Sequence, residues 1–144
     1  MLLLAADIDI AARTVWGEAR GADYQHQMLI AHVLKNRWFS GKGQFARDDT
    51  LASACLRHVQ FSCWNADDPN FAKLFVIGVS DAMFRQCMRA VLDALDAPSD
   101  PTSGATHYHT LAKPGYAKSW PPDWAVGRAS CLVDGPHAFY NDVP

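Results

Sequence analysis

The sequence lacks any apolar run approaching the ~20 residues that a membrane-spanning helix needs. Its opening, Met-Leu-Leu-Leu-Ala-Ala-Asp, has no basic residue ahead of the apolar stretch, which ends at Asp7. It therefore makes a poor secretory leader. Four cysteines at 55, 63, 87 and 131 are widely spread and form no Cys-x-x-Cys pair. That excludes a zinc ribbon and a thioredoxin-type redox motif, and it favours free buried thiols over two disulfides. Neither sign of charge dominates. The net charge of −2 gives no electrostatic reason to expect nucleic acid or an anionic membrane as partner. There is no phosphate-binding glycine loop, dinucleotide fingerprint, Gly-x-Ser-x-Gly or His-Glu-x-x-His.

What is present is a globular composition. Of the residues, 49% are hydrophobic and 19% charged, which is not the balance of a disordered chain. At 144 residues the chain predicts a single domain over 1–144 with a core of its own. Aromatics reach 11%, with five tryptophans, which suits stacking against a carbohydrate as well as an ordinary core.

Ile8, Ala11, Ala12, Val15 and Trp16 repeat at helical spacing, with Asp7 as the expected N-cap and Gly21 as the end. Glu18 falls at the edge of that apolar stripe, half sheltered and half open. Asp23 is placed to cap a second helix, central and mostly buried, running to about Trp38. Thr50 begins a short helix to Leu56, and residues 70–76 suit another. Ser80 is the expected cap of a helix carrying Phe84, Cys87, Met88, Val91, Leu92 and Leu95. Beyond Pro98 the pattern changes. Residues 104–110 alternate as a strand, with Ala105, His107 and His109 on one face and Thr106 and Tyr108 on the other. A loop rich in proline, glycine and tryptophan follows from Lys113 to Trp124. Cys131–Val133 and His137–Tyr140 flank the turn Asp134-Gly135-Pro136 as a hairpin. The fold class is α+β: a helical body with a small antiparallel sheet in the C-terminal third.

Several residues could carry chemistry. Partial burial among apolar groups would raise the pKa of Glu18 and supply a general acid. A solvated Glu18 paired with Arg13 or Arg20 is the plainer alternative. Gln60, Ser62 and Trp64 offer an amide, a hydroxyl and an indole for sugar groups, or simply a self-satisfied loop. His107 and His109 share a strand face and, with His137, could form a three-histidine metal site, although that spacing is a weak signal. Cys63 or Cys131 with His107 or His137 could make a thiol nucleophile, but nothing local activates either thiol.

Six motifs in order carry more weight than any one of them. They are Ala-Arg-Thr-Val-Trp-Gly-Glu-Ala-Arg-Gly (12–21), Val-Leu-Lys-Asn-Arg (33–37), Gln-Phe-Ser-Cys-Trp (60–64), Asp-Pro-Thr-Ser-Gly-Ala-Thr-His-Tyr (100–108), the tryptophans beyond, and Gly-Pro-His-Ala-Phe-Tyr (135–140). In this order, from about residue 8 to 140, the chain resembles the SleB-type cell wall hydrolases, the catalytic family of spore-cortex-lytic enzymes. The resemblance implies a mainly helical, lysozyme-like fold similar to lytic transglycosylases. It also implies peptidoglycan glycan strands as the substrate and no cofactor. Cleavage would fall between N-acetylmuramic acid and N-acetylglucosamine. Glu18 would be acid and then base, giving a 1,6-anhydro product. Gln60, Phe61, Ser62, Trp64, Thr106, His107, Tyr108, Trp124, His137 and Tyr140 are the expected substrate contacts.

A hydrolytic muramidase needs a second carboxylate. The sequence offers no equally placed partner, although Asp23 lies near. A metal-dependent amidase or peptidase using His107, His109 and His137, and a non-catalytic sugar-binding module, are the other readings. A monomer without membrane insertion is expected. The weak leader suggests a phage-type endolysin, made in the cytoplasm and released through a holin.

Overall fold

The structure is a computed structural model that describes residues 2–58 and 60–144. Among the described residues five α-helices, α1 (Ala5–Ala19), α2 (Tyr24–Ser40), α3 (Leu51–Leu56), α4 (Phe71–Leu74) and α5 (Ala82–Asp96), precede a three-stranded antiparallel sheet. The strands are β1 (His107–Thr110), β2 (Leu132–Asp134) and β3 (His137–Tyr140), in the order β1-β3-β2. The fold is α+β, as the sequence predicts. No helix among the described residues is long and apolar enough to cross a membrane.

α1, α2 and α5 pack against one another, with α3 against the first two. Ile30, Leu34, Phe84 and Phe139 are among the largest fully buried side chains of the core, which joins the helices to β3. Each such side chain contributes about 1.5–3 kcal/mol relative to an exposed one. As expected, α2 is central: Leu29, Ile30, Ala31, Val33, Leu34 and Trp38 are all buried. Asp23 caps it by accepting from the His26 amide at 2.8 Å, and Gly41 ends it at a positive φ of 55°.

The helix starts differ from expectation by a few residues. α1 begins before Asp7, which sits in its first turn and accepts from the Leu4 amide at 2.9 Å. The other oxygen of Asp7 accepts from the Ala52 amide at 2.9 Å, which ties α1 to α3. The cap of α5 is Asp81 rather than Ser80, accepting from the Phe84 amide at 2.8 Å. β1 is shorter than 104–110, because Asp100 draws the preceding residues into a turn. Its carboxylate accepts from the amides of Thr102 and Gly104, both at 2.8 Å. The hairpin forms as predicted, with Gly135 at φ 50°. All four cysteines are free.

Candidate active site

Glu18 lies in the last turn of α1, and the turn Ser62–Trp64 is pressed against it. Gly17 makes the approach possible. A Cβ there would stand 2.7 Å from Cys63 Cβ and 2.8 Å from its sulfur, closer than carbon atoms tolerate. The indole of Trp64 anchors the same turn by donating to Thr14 Oγ1 at 2.9 Å. The Cys63 amide is thereby aimed at Glu18 Oε1, 3.5 Å away.

The plainer alternative, an ion pair with a neighbouring arginine, does not form. Arg13 donates to Asp9 at 2.8 Å and to the carbonyls of Leu74 and Ile77 at 2.6 Å. Arg20 lies over the Trp16 ring and donates to Asn70 at 2.7 Å. Burial is the largest influence on Glu18 and raises its pKa. The Asp68 charge adds to the rise, while hydrogen bonds from the Cys63 amide and thiol and from Tyr108 oppose it. Burial of this kind favours the protonated form of a carboxyl.

Arg37 lines the same cavity as Glu18. It is 4% exposed and has no carboxylate partner among the described residues. Its guanidinium donates to the Thr106 carbonyl at 2.6 Å and to Gln60 at 3.2 Å, and it lies 4.4 Å over the Phe61 ring. Burial pulls its pKa down to about 10, and the charges of Tyr108 and Glu18 work against that fall. One signal was available in the sequence. Arg37 stands at i+7 from Ile30, on the buried phase of α2.

Glu18 opens into a groove of ≈ 670 Å³. One wall is Gln60, Phe61 and Ser62, continuing through Asn65, Asp67, Asp68 and Pro69. The other is Tyr108, His109, Thr110 and His137, extended by Tyr116, Trp120, Pro122 and Trp124. The loop after β1 is held over the groove by Trp120, whose indole donates to the Thr110 carbonyl at 2.9 Å.

Gln60, Phe61, Ser62, Tyr108, Trp124 and His137 are therefore brought together with Glu18, and four other expected contacts are not. Trp64 faces α1. Tyr140 is buried beside Ala125 and Ala138, its hydroxyl 3.0 Å from His109 Nε2. Thr106 lines a separate cavity with Asn36 and Asn141. His107 lines an adjoining pocket with Gln44 and Arg128, which shares Arg37, Gln60, Tyr108 and Trp124 with the groove.

The three histidines proposed for a metal do not converge. The register pairs His107 with Tyr140, His109 with Ala138 and Thr110 with His137. Cross-strand partners share a face, so His137 lies on the opposite face of the sheet from His107 and His109. No three His, Cys, Asp or Glu side chains among the described residues group as a metal site. Burial and the Glu18 charge push the Cys63 thiol up, and burial pushes Cys131 up, so neither is an activated nucleophile.

Two further carboxylates, Asp67 and Asp68, line the groove with Glu18, whereas Asp23 caps α2.

A profile of the Cell Wall Hydrolase family matches residues 21–140. The chain belongs to this family. The matched segment starts just beyond Glu18. Over 135 residues the chain is 32% identical to the spore cortex-lytic enzyme of Halalkalibacterium halodurans, covering 94% of this chain and 34% of that protein. It thus spans about a third of that relative's length. The catalytic domain of the germination-specific lytic transglycosylase SleB from Bacillus anthracis is 27% identical, with a TM-score of 0.67 over 94% of each chain. The catalytic domain of Bacillus cereus SleB shares the fold at 23% identity and a TM-score of 0.69, over 96% of this chain and 91% of that one. Over nearly its whole length this cell wall hydrolase has the fold of the SleB catalytic domains.

Proposed function

We propose that this cell wall hydrolase cleaves peptidoglycan glycan strands as a lytic transglycosylase, with residues 1–144 acting as one catalytic unit. The observation that carries the reading is Glu18. It is a half-buried carboxyl without an ion-pair partner among the described residues and with a raised pKa, and it opens into an aromatic-walled groove.

Protonated Glu18 donates to the bridging oxygen as the bond from C1 of N-acetylmuramic acid to that oxygen breaks. The resulting carboxylate takes the proton from the C6 hydroxyl of the same sugar while O6 bonds to C1. Glu18 ends as it began, no water is consumed, and one carboxylate suffices. Tyr108 and the Cys63 donors steady the carboxylate during the interval when it is charged. Trp120, Trp124 and Tyr116 offer faces for pyranose rings, and Gln60 and Ser62 offer polar groups for hydroxyls and acetamido groups.

A second reading is hydrolysis, which Asp67 and Asp68 favour by lining the same groove. In it one of them activates water or stabilises the oxocarbenium ion. Digestion of purified sacculi followed by mass spectrometry of the muropeptides separates the two. Anhydro ends, lighter by one water, support transglycosylation; reducing N-acetylmuramic acid ends support hydrolysis.

A further inference from the structure

Three titratable side chains run in line from the surface to the groove. Asp134, at the end of β2, lies 2.7 Å from Nδ1 of His26 on α2. Nε2 of His26 lies 2.8 Å from Nδ1 of His137, at the start of β3. The two rings are 3% and 8% exposed, with their planes 17° apart. The outer end is open, since the Asp134 side chain is 44% exposed. The inner end, His137, lines the groove and meets the Tyr108 ring edge-on at 4.9 Å. The turn carrying Asp134 is seated on His26: a Cβ on Gly135 would lie 3.5 Å from His26 Nδ1. The arrangement is linear, and these side chains do not close around a point as metal ligands do.

The direction of the chain follows from its chemistry. A carboxylate only accepts, so His26 Nδ1 carries a hydrogen. With one proton on that ring, His26 Nε2 is a lone pair, and His137 must donate to it from Nδ1. With one proton on His137 as well, its Nε2 is a free lone pair. That atom has no hydrogen-bond partner among the described residues. Burial, and then the charges of His26 and His109, push the His137 pKa down to about 4, which keeps its ring neutral at neutral pH.

We propose that Asp134 and His26 are positioning residues that hold His137 as a hydrogen-bond acceptor toward the groove, where its Nε2 receives a hydroxyl or amide N–H of the glycan. The proposal rests on the glycan reading of the groove. Asp134 and His26 touch no substrate; they act by fixing the tautomer of His137, as the carboxylate does for the histidine of a serine-protease triad.

Nitrogen-15 NMR of the histidine rings, with initial cleavage rates on subsaturating purified sacculi, tests it. The wild-type protein should show His137 with its hydrogen on Nδ1. Asp134→Asn should move hydrogen onto Nε2 and lower the rate roughly tenfold or more, because an acceptor becomes a donor. Its melting temperature should stay near that of wild type, since position 134 is open to solvent. Hydrogen on His137 Nε2 in the wild-type protein would overturn the proposal. So would an Asp134→Asn protein with the wild-type tautomer, or with a shifted tautomer and an unchanged rate. Glu18→Gln separates the two claims. If that variant still cleaves sacculi at the wild-type rate, the Glu18 mechanism fails while the tautomer result stands by itself.

Discussion

The Cys63 amide nitrogen stands 3.5 Å from Oε1 of Glu18, a backbone donor aimed at the candidate acid. The distance is long for a hydrogen bond to a carboxylate, and burial raises the Glu18 pKa. When Glu18 gives up its proton, the amide can close in on the charge. The contact exists because Gly17 lets the Ser62–Trp64 turn reach α1.

Gly17→Ala tests that packing. The added methyl meets Cys63 Cβ and sulfur below 3.0 Å and Leu74 Cδ2 at 3.2 Å, so the turn must move away. Overpacking of this kind costs about 1–3 kcal/mol. The melting temperature should fall, and cleavage should fall further than stability explains, because the Cys63 donor moves with the turn. A variant as stable and active as wild type would show that the close approach is dispensable.

Glu18 should itself be a stability liability. Its folded pKa is raised above its ordinary value of 4.5, so the folded state binds more protons than the unfolded state between those two values. Stability therefore falls as pH rises through that window and is fully present below it. Glu18→Gln removes the effect. Thermal unfolding should find the variant more stable than wild type at neutral pH and no different from it well below pH 4.5. Equal melting temperatures at every pH would mean that the carboxyl is not held protonated by its surroundings.

Activity should depend on pH in the matching sense. The reaction needs protonated Glu18, so kcat/KM should fall as pH rises through the raised pKa. Tyr108 lowers that pKa through its hydrogen bond and Asp68 raises it through its charge. Tyr108→Phe should move the basic limb to higher pH, and Asp68→Asn to lower pH. Complete loss of activity in Asp68→Asn would instead indicate the two-carboxylate hydrolytic mechanism.

The helical body, the hairpin and the edge position of Glu18 were legible because hydrophobic period and cap residues are local signals. The cap positions were less so. Ser80 and Asp81 both suit the start of α5, and Asp7 serves inside the first turn of α1 rather than ahead of it, so only the packed chain decides the caps. The groove walls around residues 60–62 and at Tyr108 were legible through ordered motifs. Three features had no local signal. The 65–69 turn brings Asp67 and Asp68 into the groove of Glu18, and Arg13 and Arg20 tie the neighbouring segment to α1 across 61 and 50 residues. Strand register put His137 on the opposite face from His107 and His109, and a period-two pattern cannot reveal pairing. Trp64 sits in the right motif but spends its indole on Thr14, which composition cannot foresee.

Chelation gives a further separation between chemistries. With His107, His109 and His137 divided between two faces of the sheet, EDTA should leave the rate on sacculi unchanged. Loss of activity on chelation, restored by zinc, would return the metal-dependent amidase to consideration.

The most direct measurement is digestion of purified sacculi by the wild-type protein and by Glu18→Gln, with muropeptides followed by mass spectrometry. A positioned general acid is worth roughly 10²–10⁴-fold in rate, and here the same group also serves as base. The wild-type protein should release anhydro-ended muropeptides, while a folded Glu18→Gln protein should release almost none. Release by Glu18→Gln at the wild-type rate would contradict the account.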